Sequence, residues 1–259
     1  MTVLVREAPS DGVVLLRLNR PERLNALNDV LVEALQRTFA ALAAERNVRV
    51  VVLTGTGRGF CSGIDMRGFG PGVPDAADPA IDRLRFQEMM ASLPQAIRAL
   101  PQPVIAAVNG PAVGGGLALC LAADLRICGA SASFANGAIL LGLSGAEMGM
   151  SYHLPRVVGL SVAADWMLTG RTVPADEACR RGLVSELVDD DHLLARALEM
   201  AAQIAAHPPL AAQMTKRTLQ VNTDAPGLFA ALEVENRNQV ITHATGEGAT
   251  ARQRWAAKK

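Results

Sequence analysis

Two glycine-rich stretches hold the residues best suited to chemistry. VNGPAVGGGLALCLAAD (108–124) sets Gly114, Gly115 and Gly116 directly before an apolar, Ala- and Leu-rich run, with nothing ionisable until Asp124. A helix starting there leaves its first N–H groups without intrahelical acceptors, and its aligned peptide dipoles favour negative charge at that end. Glycine removes the Cβ that would keep a ligand carbonyl away from those donors. GTGRGFCSGIDM (55–66) follows the β-branched run Val50–Thr54, so its amides also lie beyond the carboxyl end of a buried strand, where open α/β sheets bind ligands. For three glycines alone, close packing against a sheet is the plainer explanation. Two such turns, each offering one N–H to a single oxygen, would instead form an oxyanion hole.

Two other motifs compete for the same residues. GTGRGF has part of a dinucleotide-binding pattern but lacks its third glycine and a clear following helix. GFCSG (59–63) fits G-x-C-x-G, which would make Cys61 a nucleophile with His153, His192, His207 or His243 as its base. Against that, Cys61 reads equally as a small buried residue.

Composition narrows the field. Lysine plus arginine and aspartate plus glutamate both total 25, so no basic footprint for nucleic acid or an acidic membrane surface is present. The four cysteines form no CxxC pair and the four histidines no HxxxH pair, so a metal site is not expected. Aromatics are 3%, too few for stacking platforms. The stretch 103–123 is long and uncharged, but Asn109, Pro111 and the glycines break it, which excludes a membrane span. The first residues lack a basic segment followed by an apolar one, so a cytoplasmic protein with reduced thiols is expected.

The elements that must position the two turns follow from patterning. Val13–Leu18 reads as a strand; Asn28 caps an amphipathic helix carrying Val30, Leu31, Leu35, Phe39 and Leu42. VRVVVLTG, PVIAAV and DLRICG read as buried strands, with helices over about 82–100 and 115–123. The stretch 66–80, rich in Gly and Pro, reads as a surface loop able to shape a pocket with Ala118, Ala138, Leu140 and Leu141. Helices are expected near 161–169, 174–181, 190–206, 208–221 and 226–243, with one short strand in LVSELV. The alternation predicts an α/β core over 1–190 and a helical region over 191–259.

LNRPERLNAL, VVLTGTGRGFCSGIDM, PVIAAVNGPAVGGGLALCLAADLRI, LPRVVG and MLTGRTVPADEACRRGLVSELV, in this order, resemble the crotonase superfamily, the enoyl-CoA hydratase/isomerase family. The resemblance implies a spiral of ββα units with a C-terminal helical trimerisation region. It also implies an acyl-CoA thioester substrate, no cofactor beyond the CoA that the substrate carries, and a homotrimer or dimer of trimers. Carried onto this chain, the oxyanion-hole amides belong to Ile64 and Gly115. Arg23, Leu24, Ser62, Gly63 and Asp65, with Gly114, match the stretches around the CoA and the thioester; Asp65 fits a turn-capping role as well.

Family hydratases hold water with two glutamates. Those positions here are Ala118, three residues after Gly115, and Ala138, and neither can move a proton. Glu147 falls near the acidic residue of the family's isomerases, in a loop one residue longer. The expectation is therefore enolate chemistry with Glu147 as general acid/base rather than simple hydration, the alternative being an acyl-CoA-binding protein without turnover. Asp124 is expected to be structural, and His153 to pack rather than carry protons.

Overall fold

The computed structural model describes residues 2–67, 79–248 and 256. Six strands form the main sheet: β1 (Leu4–Ser10), β2 (Val13–Leu18), β3 (Val50–Gly55), β4 (Val104–Val108), β6 (Leu125–Gly129) and β9 (Glu186–Val188), hydrogen-bonded in that order. β1 pairs antiparallel with β2; every other neighbour is parallel. The second sheet joins β5 (Pro111–Val113), β7 (Ser133–Ala135) and β8 (Val173–Pro174).

The continuous apolar runs are buried on both faces because a period of two sends alternate side chains into two separate cores. Val14, Leu16, Val51, Leu53, Val104 and Ala106 enter the larger one. It is closed by α1 (Asp29–Ala44), α2 (Pro79–Ala99) and α3 (Gly115–Ala122). Val13, Leu15, Val50, Val52, Ile105 and Ala107 enter the smaller one, where α7 (Leu193–Ala205) lays Leu193, Ala197, Ala201 and Ala205 against the sheet. The chain is thus α/β, as the alternation predicts.

The Asn28 side chain accepts the Leu31 N–H at the start of α1, satisfying an otherwise orphaned donor. Val30, expected on the inner face of α1, is instead 49% exposed. The remaining helices are α4 (Met150–Val158), α5 (Leu160–Thr169), α6 (Ala175–Arg180), α8 (Pro209–Asn222) and α9 (Leu228–Ala244). Patterning missed β1, β5, β7, β8 and α4. β1 is an edge strand exposed from Arg6 to Ser10 with no apolar alternation there, and β5 and β7 are three residues each, too short for any period to register. The expected 66–80 loop falls largely on residues 68–78, outside the described residues. No helix among the described residues is long and apolar enough to cross a membrane.

Candidate functional site

The first glycine turn is knitted to residues 20–27. Leu24 and Asn25 are both left-handed, at φ 47° and 57°, a cost that non-glycine residues bear only where surroundings over-determine them. Fully buried Asn25 supplies that determination: its Oδ1 accepts the Arg20 N–H, and its Nδ2 donates to the carbonyls of Thr56 and Gly59. The Ser62 N–H donates to the Leu24 carbonyl at 3.0 Å and its hydroxyl to the Arg23 carbonyl at 3.3 Å. The segment 20–27 and the turn carrying Ser62, Gly63 and Ile64 are thus held side by side.

Ile64 makes a parallel bridge with Leu27. Leu27 N–H donates to the Gly63 carbonyl at 2.7 Å, and Asp65 N–H donates to the Leu27 carbonyl at 2.9 Å. This pattern consumes groups of the flanking residues and leaves the Ile64 N–H on the opposite side of its strand. No acceptor for it occurs among the described residues.

The second turn presents a comparable donor. Gly115 opens α3, so its N–H has no intrahelical acceptor. Gly114 before it has φ 51° and ψ −116°, a conformation that glycine alone adopts without strain. A Cβ on Gly63 would lie 2.8 Å from the Val113 carbonyl oxygen and 3.5 Å from the Gly115 nitrogen. The two turns are therefore in direct contact, with Cys61 and Ala112 bridged beneath them. A Cβ on Gly116 would lie 2.0 Å from the Cys61 carbonyl oxygen, so close packing of the two turns requires glycine at this position.

Glu147 completes the group. Its Oε1 would be 3.7 Å from a Cβ on Gly114, one residue from the Gly115 N–H that has no intrahelical acceptor. The side chain is half-buried, and burial raises its pKa above the ordinary glutamate value, opposed by a hydrogen bond from Gln87 on α2. Met148, buried and held at φ 47°, places its sulfur 3.4 Å from a Cβ on Gly115. Ala118 is buried on α3, its N–H bonded to the Gly114 carbonyl. Ala138 is buried behind Asn136, whose Nδ2 donates to the Gly145 carbonyl and ties this segment to the one bearing Glu147. Leu140 and Leu141 are exposed.

Other sequence candidates have settled roles. The Asp65 carboxylate is held by Arg20 at 2.8 Å and Arg23 at 2.5 Å, which keep it well below the usual carboxylate range. It anchors the loop through its charge. Cys61 is fully buried and burial pushes its thiol up to about 12, so it is no thiolate nucleophile at neutral pH. Asp124 accepts the Val104 N–H at 2.8 Å and pairs with buried Lys216 at 2.8 Å, a structural role. His153 is driven down to about 4, first by burial and then by Arg98, Arg126 and Arg156. No cluster of three metal-ligating side chains occurs among the described residues.

Sequence reasoning passed over Asn25, Gln87, Met148 and Arg20. Backbone strain and a contact across α2 have no sequence signature; the Arg20–Asp65 pair had only a charge pattern to find it by.

Residues 8–259 match the family described as enoyl-CoA hydratase/isomerase. A protein of Mycobacterium tuberculosis described as a probable enoyl-CoA hydratase, EchA12, is 43% identical over 243 residues, covering 93% of this chain and 85% of that one. A solved enoyl-CoA hydratase of Bacillus anthracis superposes with TM-score 0.91 at 31% identity, covering 99% of this chain and 97% of that one. A monofunctional enoyl-CoA isomerase of Mycobacterium smegmatis gives 0.76 at 40% identity, covering 90% and 99%.

Proposed function

The chain belongs to the enoyl-CoA hydratase/isomerase family of acyl-CoA enzymes, and from that premise we propose that it forms the enolate of an acyl-CoA thioester, with Glu147 moving the proton. The thioester oxygen sits between the N–H groups of Ile64 and Gly115. The Glu147 carboxylate removes a proton from an acyl carbon, the electron pair moves into the thioester carbonyl, and the resulting oxyanion is stabilised by those two donors. Where the acyl group carries a β,γ double bond the oxyanion is a dienolate, and return of the α proton at the γ carbon shifts the double bond to α,β and completes an isomerisation.

The observation that carries this reading is the position of the Glu147 carboxylate beside Gly114, next to a main-chain donor with no acceptor among the described residues. Burial strengthens Glu147 as a base by raising its pKa. Hydration is disfavoured because Ala118 and Ala138 occupy the positions where family hydratases carry glutamates. The relatives' names alone do not choose: one is described as a probable hydratase and another as an isomerase.

Exposed Leu219, Leu228, Phe229 and Val240 on α8 and α9 support assembly into a homotrimer or dimer of trimers, which sedimentation would test. The reaction is tested by incorporation of solvent deuterium at the α and γ carbons of a panel of enoyl-CoA thioesters. Exchange that is lost on Glu147→Gln and survives Cys61→Ala agrees with the proposal. Tight binding without exchange in the unaltered protein would make it an acyl-CoA-binding protein instead.

A further inference from the structure

A cleft of about 450 Å³ lies between α2 and the start of α4, lined by Ala91, Pro94, Ala99, Met148 and Gly149, with Gln95, Arg98 and His153. Helical spacing puts 87, 91, 94, 95 and 98 on one face of α2. Gln87 touches Glu147, Ala91 follows one turn later, and Arg98 stands about 10 Å of helix rise beyond Ala91. The cleft therefore starts next to the proton-transfer group, is walled by small apolar residues, and carries a guanidinium farther along.

That guanidinium is poorly compensated. Arg98 Nη1 is 3.6 Å from Asp124 Oδ1, beyond hydrogen-bond distance, while the other Asp124 oxygen is taken by Lys216 and the Val104 N–H. A smaller adjoining pocket of about 180 Å³ shares Arg98 and His153 and is bordered by Asp124, Arg126 and Arg156. Arg126 donates through Nε to the Leu183 carbonyl and through Nη1 to those of Ala123 and Leu121. Arg156 stacks on Tyr152 and pairs with Asp224 at 2.9 Å. With Lys216, four cations face two carboxylates around these pockets, and His153, neutral near pH 7, adds no negative charge. A partly buried cation with no full partner favours an anion that can accept its hydrogen bonds.

We propose that the cleft receives the far end of the acyl group and that Arg98 binds a carboxylate there, so that the preferred substrate is a thioester of CoA with one carboxyl of a dicarboxylic acid. His153, packed over Gly149 with its ring edge-on to Tyr152, borders the same end of the cleft and offers an N–H. The inference rests on the reading of the site as a thioester site.

The test compares matched pairs that differ only at the chain terminus, hexanoyl-CoA against adipoyl-CoA and octanoyl-CoA against suberoyl-CoA, by calorimetric dissociation constants. One carboxylate-terminated member should bind at least ~10-fold tighter than its methyl partner, the scale of one charge-assisted hydrogen bond. Arg98→Gln should bring that pair to within about threefold, and Arg98→Lys should keep part of the preference. Thermal unfolding of both variants checks that the Asp124–Lys216 pair is intact. Free adipate should compete weakly; competition as strong as that of adipoyl-CoA would mean a general anion site and overturn the acyl assignment. Equal binding within both pairs, or a preference that survives Arg98→Gln, would overturn the inference and leave the thioester reading standing. Failure of all four thioesters to bind would overturn both.

Discussion

Gly116→Ala places a methyl group where the structure has a carbonyl. The added Cβ would lie 2.0 Å from the Cys61 oxygen, 2.8 Å from its carbonyl carbon and 2.9 Å from its Cβ. Contacts under 3.0 Å are not tolerated, so the turns must separate by about 1 Å. The Cys61 carbonyl cannot yield freely, because it also accepts the Val113 N–H at 2.9 Å. Overpacking of this kind costs about 1–3 kcal/mol. The larger effect falls on catalysis: a misplacement of about 1 Å costs on the order of 10²-fold, and loss of one oxyanion donor about 10²–10³-fold. We expect a folded protein with a lowered melting temperature and kcat/KM reduced at least ~100-fold in the deuterium-exchange assay. Gly227→Ala is the control, since nothing lies within 4 Å of its added Cβ and its backbone is extended at φ 172°. Activity and melting temperature of Gly116→Ala equal to those of the control would refute the contact between the two turns.

Gln87→Leu removes the hydrogen bond that lowers the Glu147 pKa while leaving the desolvation that raises it. The ascending limb of the kcat/KM–pH profile should therefore move to higher pH; an unmoved limb would contradict the proposed role of Glu147 as the base or its contact with Gln87. Lys216→Met removes the hydrogen-bonded cation of the half-buried Asp124 carboxylate and leaves it Arg98 at 3.6 Å, which should destabilise the protein in urea unfolding by less than the about 3–5 kcal/mol of a fully uncompensated buried charge. Asp65 is held below its ordinary pKa by Arg23 and Arg20, so its contribution to stability is present above the unfolded-state pKa and fades as pH falls through the folded-state one. Asp65→Asn should thus be less stable at neutral pH and lose less on acidification, and parallel acid-unfolding curves for the two proteins would contradict the ion pairs.

What the sequence made legible was set by burial and period. β3 and β4 are buried on both faces, so Val50–Leu53 and Val104–Val108 are unbroken apolar runs that announce themselves, and α1 carries both its stripe and its Asn28 cap. α4 hid because a proline sits within it and its ends are glycines. The two glycine turns were visible as main-chain donors, since glycine there has a physical consequence whatever the partner. Their contact was not, because Gly63 meets Val113 and Gly115 across fifty residues of chain. Glu147 was named only through family resemblance; its burial and its neighbour Gln87 come from α2 crossing the loop, which no local pattern records. The Cys61 nucleophile failed because the motif fixes spacing and says nothing of exposure.

The central claim is that two main-chain donors hold one acyl oxygen, and a crystal structure with a bound acyl-CoA measures it directly. The account predicts the thioester oxygen about 2.7–3.1 Å from the nitrogens of both Ile64 and Gly115, with the Glu147 carboxylate against the adjoining acyl carbons. A thioester oxygen that touches neither nitrogen, or only one, would contradict it.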